Sequence, residues 1–316
     1  MSHSAISARG LRKSYDDKVV LDGIDLEVKQ GTVFALLGPN GAGKTTTVNI
    51  LSTLISRDGG TAAVAGHDLD TDPDGIRRAI GLTGQFSAVD NLLTGEENLF
   101  LMADLHHLPR REGRRRAAEL LERFELTEAA KKIPSTYSGG MRRKLDLAMT
   151  LVGDPEVIFL DEPTTGLDPR SRRTMWEIIR SLVANGVTIL LTTQQLDEAD
   201  ELADRIAVLD GGRIVAQGTP DELKRRVPGG HVRLNFADTA ALRHAAAILA
   251  ESTVDNDALT LNVPTDGSLA SVHGLLDHLR SQAVAVESLT VHTPDLDDVF
   301  LSLTGHRTEL EKELTR

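Results

Sequence analysis

Residues Gly38-Pro39-Asn40-Gly41-Ala42-Gly43-Lys44-Thr45 follow the pattern G-x-x-x-x-G-K-S/T, with a second hydroxyl at Thr46. The spacing suits a phosphate chain: glycines let the backbone wrap closely around an anion, and the amides that open a following helix point at it. Lys44 adds a mobile positive charge, and the Thr45 hydroxyl can ligate Mg²⁺. A second constellation lies 117 positions beyond Lys44, where Val157-Ile158-Phe159-Leu160 ends in Asp161 and Glu162. Successive strand side chains point to opposite faces, so the two acids have different jobs. Asp161 suits Mg²⁺, directly or through water, and Glu162 can polarise a water that attacks a terminal phosphate. Alone, the second pattern also fits an ordinary strand running into a solvated loop. Beside the glycine-rich loop it reads as chemistry.

These groups need elements to hold them. The apolar run 33–37 reads as the strand before the loop, and 44–54 as the helix after it. Further β-rich runs at 61–64, 157–160 and 187–192 alternate with helical stretches at 170–184 and 196–203. That order predicts an α/β domain with a mostly parallel sheet covered by helices. Runs 205–209 and 213–217 flank Asp210-Gly211-Gly212, a hairpin signal, and Thr219-Pro220-Asp221-Glu222 opens a helix. A polar stretch over about 90–137 has few β-formers; with the helical run that follows, it predicts a helical subdomain over about 90–150. Val227-Pro228-Gly229-Gly230 reads as a linker, which places a first domain at 1–228 and a second at 231–316. The second carries 6 basic and 13 acidic residues, against 29 and 34 in residues 1–230. It reads as a small α/β domain, with strands at 231–236, 259–263 and 284–291 and helices at 239–251 and 268–281. An amphipathic terminal helix should turn Val299, Phe300 and Leu303 inward. Six of the ten histidines fall in this tail, at spacings that make no metal site.

Composition narrows the classes. The 316 residues are long enough for two domains with a sizeable core. The absence of cysteine excludes a disulfide scaffold, a zinc finger and a Cys nucleophile. No apolar run reaches the length of a membrane span, and residues 1–10 lack the apolar core of a secretion signal. A cytosolic protein is expected, peripheral to the cytoplasmic side of the cell membrane only if another subunit holds it there. The net charge of −12 argues against a surface built to grip nucleic acid. The one basic run, Arg110-Arg111-Glu112-Gly113-Arg114-Arg115-Arg116, lacks interleaved aromatics. It reads as a solvated helix face, with nucleic-acid or lipid-headgroup contact as the alternatives.

Taken together, the motifs resemble the nucleotide-binding subunit of an ATP-binding-cassette transporter over about residues 6–226. Tyr137-Ser138-Gly139-Gly140-Met141 lies 23 residues before Asp161 at Ser138 and is similar to the family's signature motif. The resemblance implies that Ser138, Gly139 and Gly140 cover the γ-phosphate of ATP held by a second copy, so that a homodimer sandwiches two ATP molecules. Gln85 matches the glutamine that senses Mg²⁺ and contacts the membrane partner. Asp168, in Gly166-Leu167-Asp168, matches the loop through which subunits communicate, and equally fits a plain helix cap. Tyr15 matches the aromatic that stacks on adenine; a packing role is the alternative. The implied fold is a P-loop NTPase cassette with antiparallel N-terminal strands and a helical signature subdomain.

Two departures stand out. Tyr137 and Met141 replace the more usual Leu and Gln of the signature. Gln194, within Thr192-Thr193-Gln194-Gln195, stands where the family usually places a histidine against the γ-phosphate, and no histidine occurs between His107 and His231. Both departures, together with Asp297-Asp298-Val299-Phe300-Leu301, resemble the daunorubicin-resistance type of drug-export ATPase. The implied activity is hydrolysis of MgATP, with Lys44, Glu162 and Gln194 catalytic, to power export of a drug-like or lipid-like hydrophobic compound through a separate integral-membrane permease. The alternatives are a soluble cassette ATPase acting on nucleic acid or ribosomes, and a nucleotide-gated structural subunit with negligible hydrolysis.

Overall fold

The computed structural model describes residues 4–84, 88–226, 230–249, 251–265, 268–292 and 294–304. The chain divides into two compact units after Pro220. Of the linker expected at residues 227–230, residues 227–229 lie outside the described residues, as does Gln85.

The first unit opens with β1 (Ser4–Tyr15), β2 (Lys18–Lys29), β3 (Val33–Leu37), α1 (Lys44–Leu51), β4 (Gly59–Val64), β5 (His67–Asp68), α2 (Pro73–Ala79) and β6 (Ile80–Thr83). Three helices follow, α3 (Gly95–Leu105), α4 (Arg110–Arg123) and α5 (Gly139–Thr150). The chain then returns to alternation through β7 (Val157–Asp161), α6 (Pro169–Ala184), β8 (Thr188–Thr193), α7 (Leu196–Leu202), β9 (Arg205–Asp210) and β10 (Arg213–Gly218). A short helix, α8, covers Pro220–Lys224.

Two sheets result. β2-β1-β4-β5 is antiparallel, and β10-β9-β3-β8-β7-β6 is parallel except for its β9–β10 hairpin. Every residue of β3, β7 and β8 is buried, as befits strands covered on both faces. Helix α1 touches β2 and β4 of one sheet and β7 and β8 of the other. Val48, Ile50 and Leu51 of that helix therefore share one core with Leu11, Leu21, Phe34 and Phe159. The glycine-rich loop before α1 is thus anchored at both ends in packed structure.

Between β6 and β7 the described residues hold helices α3, α4 and α5, two short 3-10 turns and no strand. Thr94 and Glu97 form a capping box at the start of α3, and Asn98, fully buried, ties that helix to the backbone at Asp90, Leu93 and Thr94. In the basic run on α4, Arg115 pairs with Glu112 and Glu119 on its own helix face, and Arg116 with Asp154. Tyr137 is buried, and its hydroxyl donates to Ala129 O at 2.6 Å. The phenol thus fixes the turn that leads into α5, a bond that the more usual leucine cannot make.

The second unit continues with β11 (His231–Asn235), α9 (Thr239–Ile248), β12 (Thr253–Asp255), β13 (Thr260–Pro264), α10 (Leu269–Ser281), β14 (Ser288–His292) and α11 (Leu296–Thr304). The β-α-β-β-α-β order, with strands arranged β12-β13-β11-β14 and all pairs antiparallel, is the split βαβ arrangement. Its core joins Val232, Leu234 and Leu261 of the sheet to Leu242 and Ala245 of α9 and Leu279 of α10. Residues 284–286 connect rather than pair, although Val284 and Val286 still pack on this core, and Glu287 N already donates to Asn235 O at 2.9 Å. In α11, Val299 and Phe300 are buried as expected, whereas Leu303, in the last turn, is 37% exposed. His231 and His292 are register partners with ring centroids 4.7 Å apart. Among the described residues no group of three or more His, Asp or Glu is placed to hold a metal. No helix among them is long and apolar enough to cross a membrane.

Candidate functional site

The site lies at the carboxyl ends of three neighbouring parallel strands, β3, β8 and β7, where open α/β sheets present ligand-binding loops. Gly38 leaves β3, and its amide donates to Thr193 O at 3.3 Å. A Cβ at Gly38 would come within 2.2 Å of Leu209 O. Gly43, at φ +110°, occupies the left-handed region, and a Cβ there would meet Leu21 Cδ2 at 2.5 Å and Val20 O at 3.0 Å. The first and last glycines of the motif are therefore dictated by contacts with β9 and β2. Between them Pro39 is half-buried, Asn40 and Gly41 are exposed and Ala42 is buried, before Lys44 opens α1.

Lys44 is 5% exposed. Its Nζ donates to Gly38 O at 2.8 Å and Pro39 O at 3.1 Å, and lies 3.9 Å from Glu162 Oε1. Burial pushes the ammonium below its ordinary value, and the charges of Glu162 and Asp161 oppose that shift. Thr45 Oγ1 donates to Asp161 Oδ2 at 3.0 Å, while Asp161 Oδ1 accepts from the Thr192 hydroxyl. Thr46 is half-buried beside Thr45.

The two acids meet different groups: Asp161 faces Thr45, and Glu162 faces Lys44. Glu162 sits at φ +49°, an uncommon conformation for a side-chain-bearing residue and costly by about 1–3 kcal/mol. Its amide donates to Thr192 O at 3.1 Å and Thr192 Oγ1 at 3.2 Å, and its Oε2 accepts from Thr165 Oγ1 at 3.3 Å. Gln194 is exposed, directly after Thr193 at the end of β8, and so emerges beside the strands that deliver Gly38 and Glu162.

Ser138 caps α5, its Oγ accepting from Met141 N at 3.2 Å, and Gly139 and Gly140 form the first turn. Gly140 admits a close neighbour, since a Cβ there would stand 2.7 Å from Ser171 Oγ. Asp168 caps α6 through Arg170 N and Ser171 N, both at 3.0 Å. The hydroxyl and amide of Ser171 hold its carboxyl below the usual range. Asp168 is thus a helix cap in this structure. Tyr15, at the end of β1, is 47% exposed, with Lys13 Nζ 5.5 Å from its ring centroid. No hydrogen bond among the described residues links Tyr15 or Ser138 to the loop 38–45.

Motif reading missed a buried polar layer behind the strands. Arg143 of α5 donates to the carbonyls of Gly84, Asp161 and Pro163 and pairs with Asp146 at 3.3 Å. Glu198 of α7, 1% exposed, accepts from Thr164 Oγ1 at 2.7 Å, and burial pushes its carboxyl up. One signal for the first was available: Arg142-Arg143-Lys144 puts three cations in the first half of a helix, where its dipole disfavours them. Glu198 gave none, being one acid among several in 197–201.

Known proteins share both units. Residues 21–165 match the ABC transporter family, and residues 218–304 match the C-terminal domain of DrrA1-3-like ATP-binding proteins. The chain is 49% identical to the daunorubicin resistance ATP-binding protein DrrA3 of Streptomyces coeruleorubidus, over 96% of this chain and 97% of the relative. It is 48% identical to the daunorubicin/doxorubicin resistance ATP-binding protein DrrA of Streptomyces peucetius, over 96% and 93%. A solved structure of an ATP-binding cassette, dimeric in a post-hydrolysis state with ADP and Pi, superposes with a TM-score of 0.62 at 26% identity, over 68% of this chain and 98% of that one. The chain belongs to the ABC transporter family, as an ATP-hydrolysing subunit of the daunorubicin-resistance type.

Proposed function

We propose that residues 38–46 hold the phosphates of ATP, and that hydrolysis at this site powers export of a drug-like or lipid-like hydrophobic compound through a separate membrane permease. The observation that carries the reading is the meeting of two motifs 117 positions apart: Thr45 with Asp161 at 3.0 Å, and Lys44 with Glu162 at 3.9 Å. Lys44 exchanges its two loop carbonyls for phosphate oxygens when nucleotide enters. Thr45 and Asp161 offer the hard oxygen donors that suit Mg²⁺, with Gln85 as a further ligand. The ion, when bound, neutralises phosphate charge. Glu162 takes the proton of the attacking water, and Gln194 can donate its NH₂ to a γ-phosphate oxygen. Tyr15 stacks on adenine. Ser138, Gly139 and Gly140 of a second copy close over the γ-phosphate, with Asp168 at the junction, so the working form is a homodimer around two ATP molecules. The relatives named for daunorubicin and doxorubicin resistance support a drug-like cargo, and the permease would hold the subunit on the cytoplasmic face of the membrane.

The test is MgATP turnover and ATP binding by the full chain and by Glu162→Gln. Loss of a water-activating carboxylate lowers turnover by about 10²-fold or more while binding persists. Undiminished turnover would remove Glu162 from the mechanism. Co-purification with a multi-span membrane protein supports the exporter, whereas co-sedimentation with ribosomes would overturn it.

A further inference from the structure

Of the three cations at 142–144 in α5, Lys144 pairs with the exposed Glu125 at 2.7 Å, whereas Arg143, its side chain 13% exposed, reaches the backbone at the end of β7 and just beyond it. Its guanidinium is committed on every side. Nε donates to Pro163 O at 3.0 Å, and Nη2 to Asp161 O at 3.2 Å and Glu162 O at 3.5 Å. Nη1 donates to Gly84 O at 3.1 Å and to Asp146 Oδ2 at 3.3 Å, and Asp146 in turn accepts from Ala88 N at 3.1 Å. Along a strand, successive residues face opposite ways. Three consecutive carbonyls can converge on one guanidinium here because Glu162, at φ +49°, breaks that alternation. The middle member of the three is the residue whose carboxylate faces Lys44.

We propose that Arg143 is a positioning residue for Glu162. Its planar fork gathers the peptide groups on both sides of Glu162, holds the left-handed turn, and so sets where the carboxylate stands. Because Arg143 lies five residues beyond Ser138 on the same helix, any displacement of the signature end of α5 is felt at Glu162. The proposal rests on the reading of Glu162 as the group that activates water. It adds a residue that touches neither nucleotide nor water.

Arg143→Lys tests it, because lysine keeps a charge beside Asp146 and gives up the fork. Single-turnover hydrolysis of MgATP and the Kd for ATP are measured with the full chain for Arg143→Lys, Glu162→Gln and the double variant. Misplacing a reacting group costs rate rather than affinity, so Arg143→Lys should lose about 10-fold or more in turnover with Kd within about 3-fold. The double variant should be no slower than Glu162→Gln alone, since Arg143 acts through that carboxylate. Parental turnover in folded Arg143→Lys overturns the proposal, and so does a loss that multiplies onto that of Glu162→Gln. Failure of the underlying reading looks different: Glu162→Gln itself would hydrolyse ATP at the parental rate. If the lysine variant does not fold, Arg143→Gln with Asp146→Asn removes both charges together and is judged by the same outcomes.

Discussion

Gln194 stands where the resemblance to cassette ATPases leads one to expect a histidine. It follows Thr193 directly, and Thr193 O is bonded to the amide of Gly38, so the carboxamide leaves the sheet beside the phosphate loop. A histidine there would change charge near neutral pH; a glutamine cannot, and offers instead one neutral donor pair and one acceptor. Removing a donor that stabilises transition-state charge costs about 10²–10³-fold at a well-formed site, and less from an exposed position. Gln194→Ala is therefore expected to lose about 10-fold in steady-state hydrolysis with little change in ATP affinity, while Gln194→His stays active and acquires a pH dependence. Parental turnover in Gln194→Ala would mean the position is chemically vacant. At this scale the sequence is legible where chemistry and packing demand the same residue. Gly38 and Gly43 are each forced by a neighbour's atoms, and the motif records that compulsion. Arg143 was only half legible: three cations near a helix N-terminus mark the segment, but pattern alone does not say which of them reaches the end of β7.

The elements beneath these residues follow from burial. The apolar runs 33–37 and 157–160 fold as β3 and β7 because parallel strands covered on both faces need unbroken apolar sequence. The N-terminal strands are harder to read. β1 and β2 are each 12 residues long, but their pairing shifts register repeatedly, between Ala8 and Leu11 among other places, and every shift interrupts the alternation that marks a strand. The link between β7, α6 and α7 was invisible for another reason: it runs through Glu198, a buried acid among the exposed acids Asp197, Asp200 and Glu201. Glu198 accepts from Thr164 between β7 and α6, and desolvation raises its carboxyl above the ordinary value of 4.5. An acid that holds its proton more tightly when folded makes stability fall as pH rises from its unfolded value through its folded one, and acidification restores it. Glu198→Gln retains an acceptor for Thr164 and removes the titration. The variant should melt above the parent at about pH 8, with the gap closing as pH falls toward 4.5. A gap of the same size at both ends of that range would contradict the account.

At the level of the whole molecule, the proposed function makes one chain the source of two incomplete halves of a site. Lys44, Thr45, Asp161 and Glu162 converge within a single copy, while Ser138, on another helix, spends its hydroxyl on the Met141 amide and makes no bond to the loop 38–45. The signature's helix N-terminus is an anion site in need of an anion. On the proposed reading, a second copy that presents this end to bound ATP would complete both halves at once, and hydrolysis would release the pair. Glu162→Gln keeps the shape of the site and removes the base, so ATP persists and the pair stays closed. The most direct measurement is the mass of Glu162→Gln by light scattering, with and without millimolar MgATP. The account predicts a monomer that doubles its mass when nucleotide is added and returns to monomer when nucleotide is removed. A mass that remains monomeric with ATP bound would contradict it.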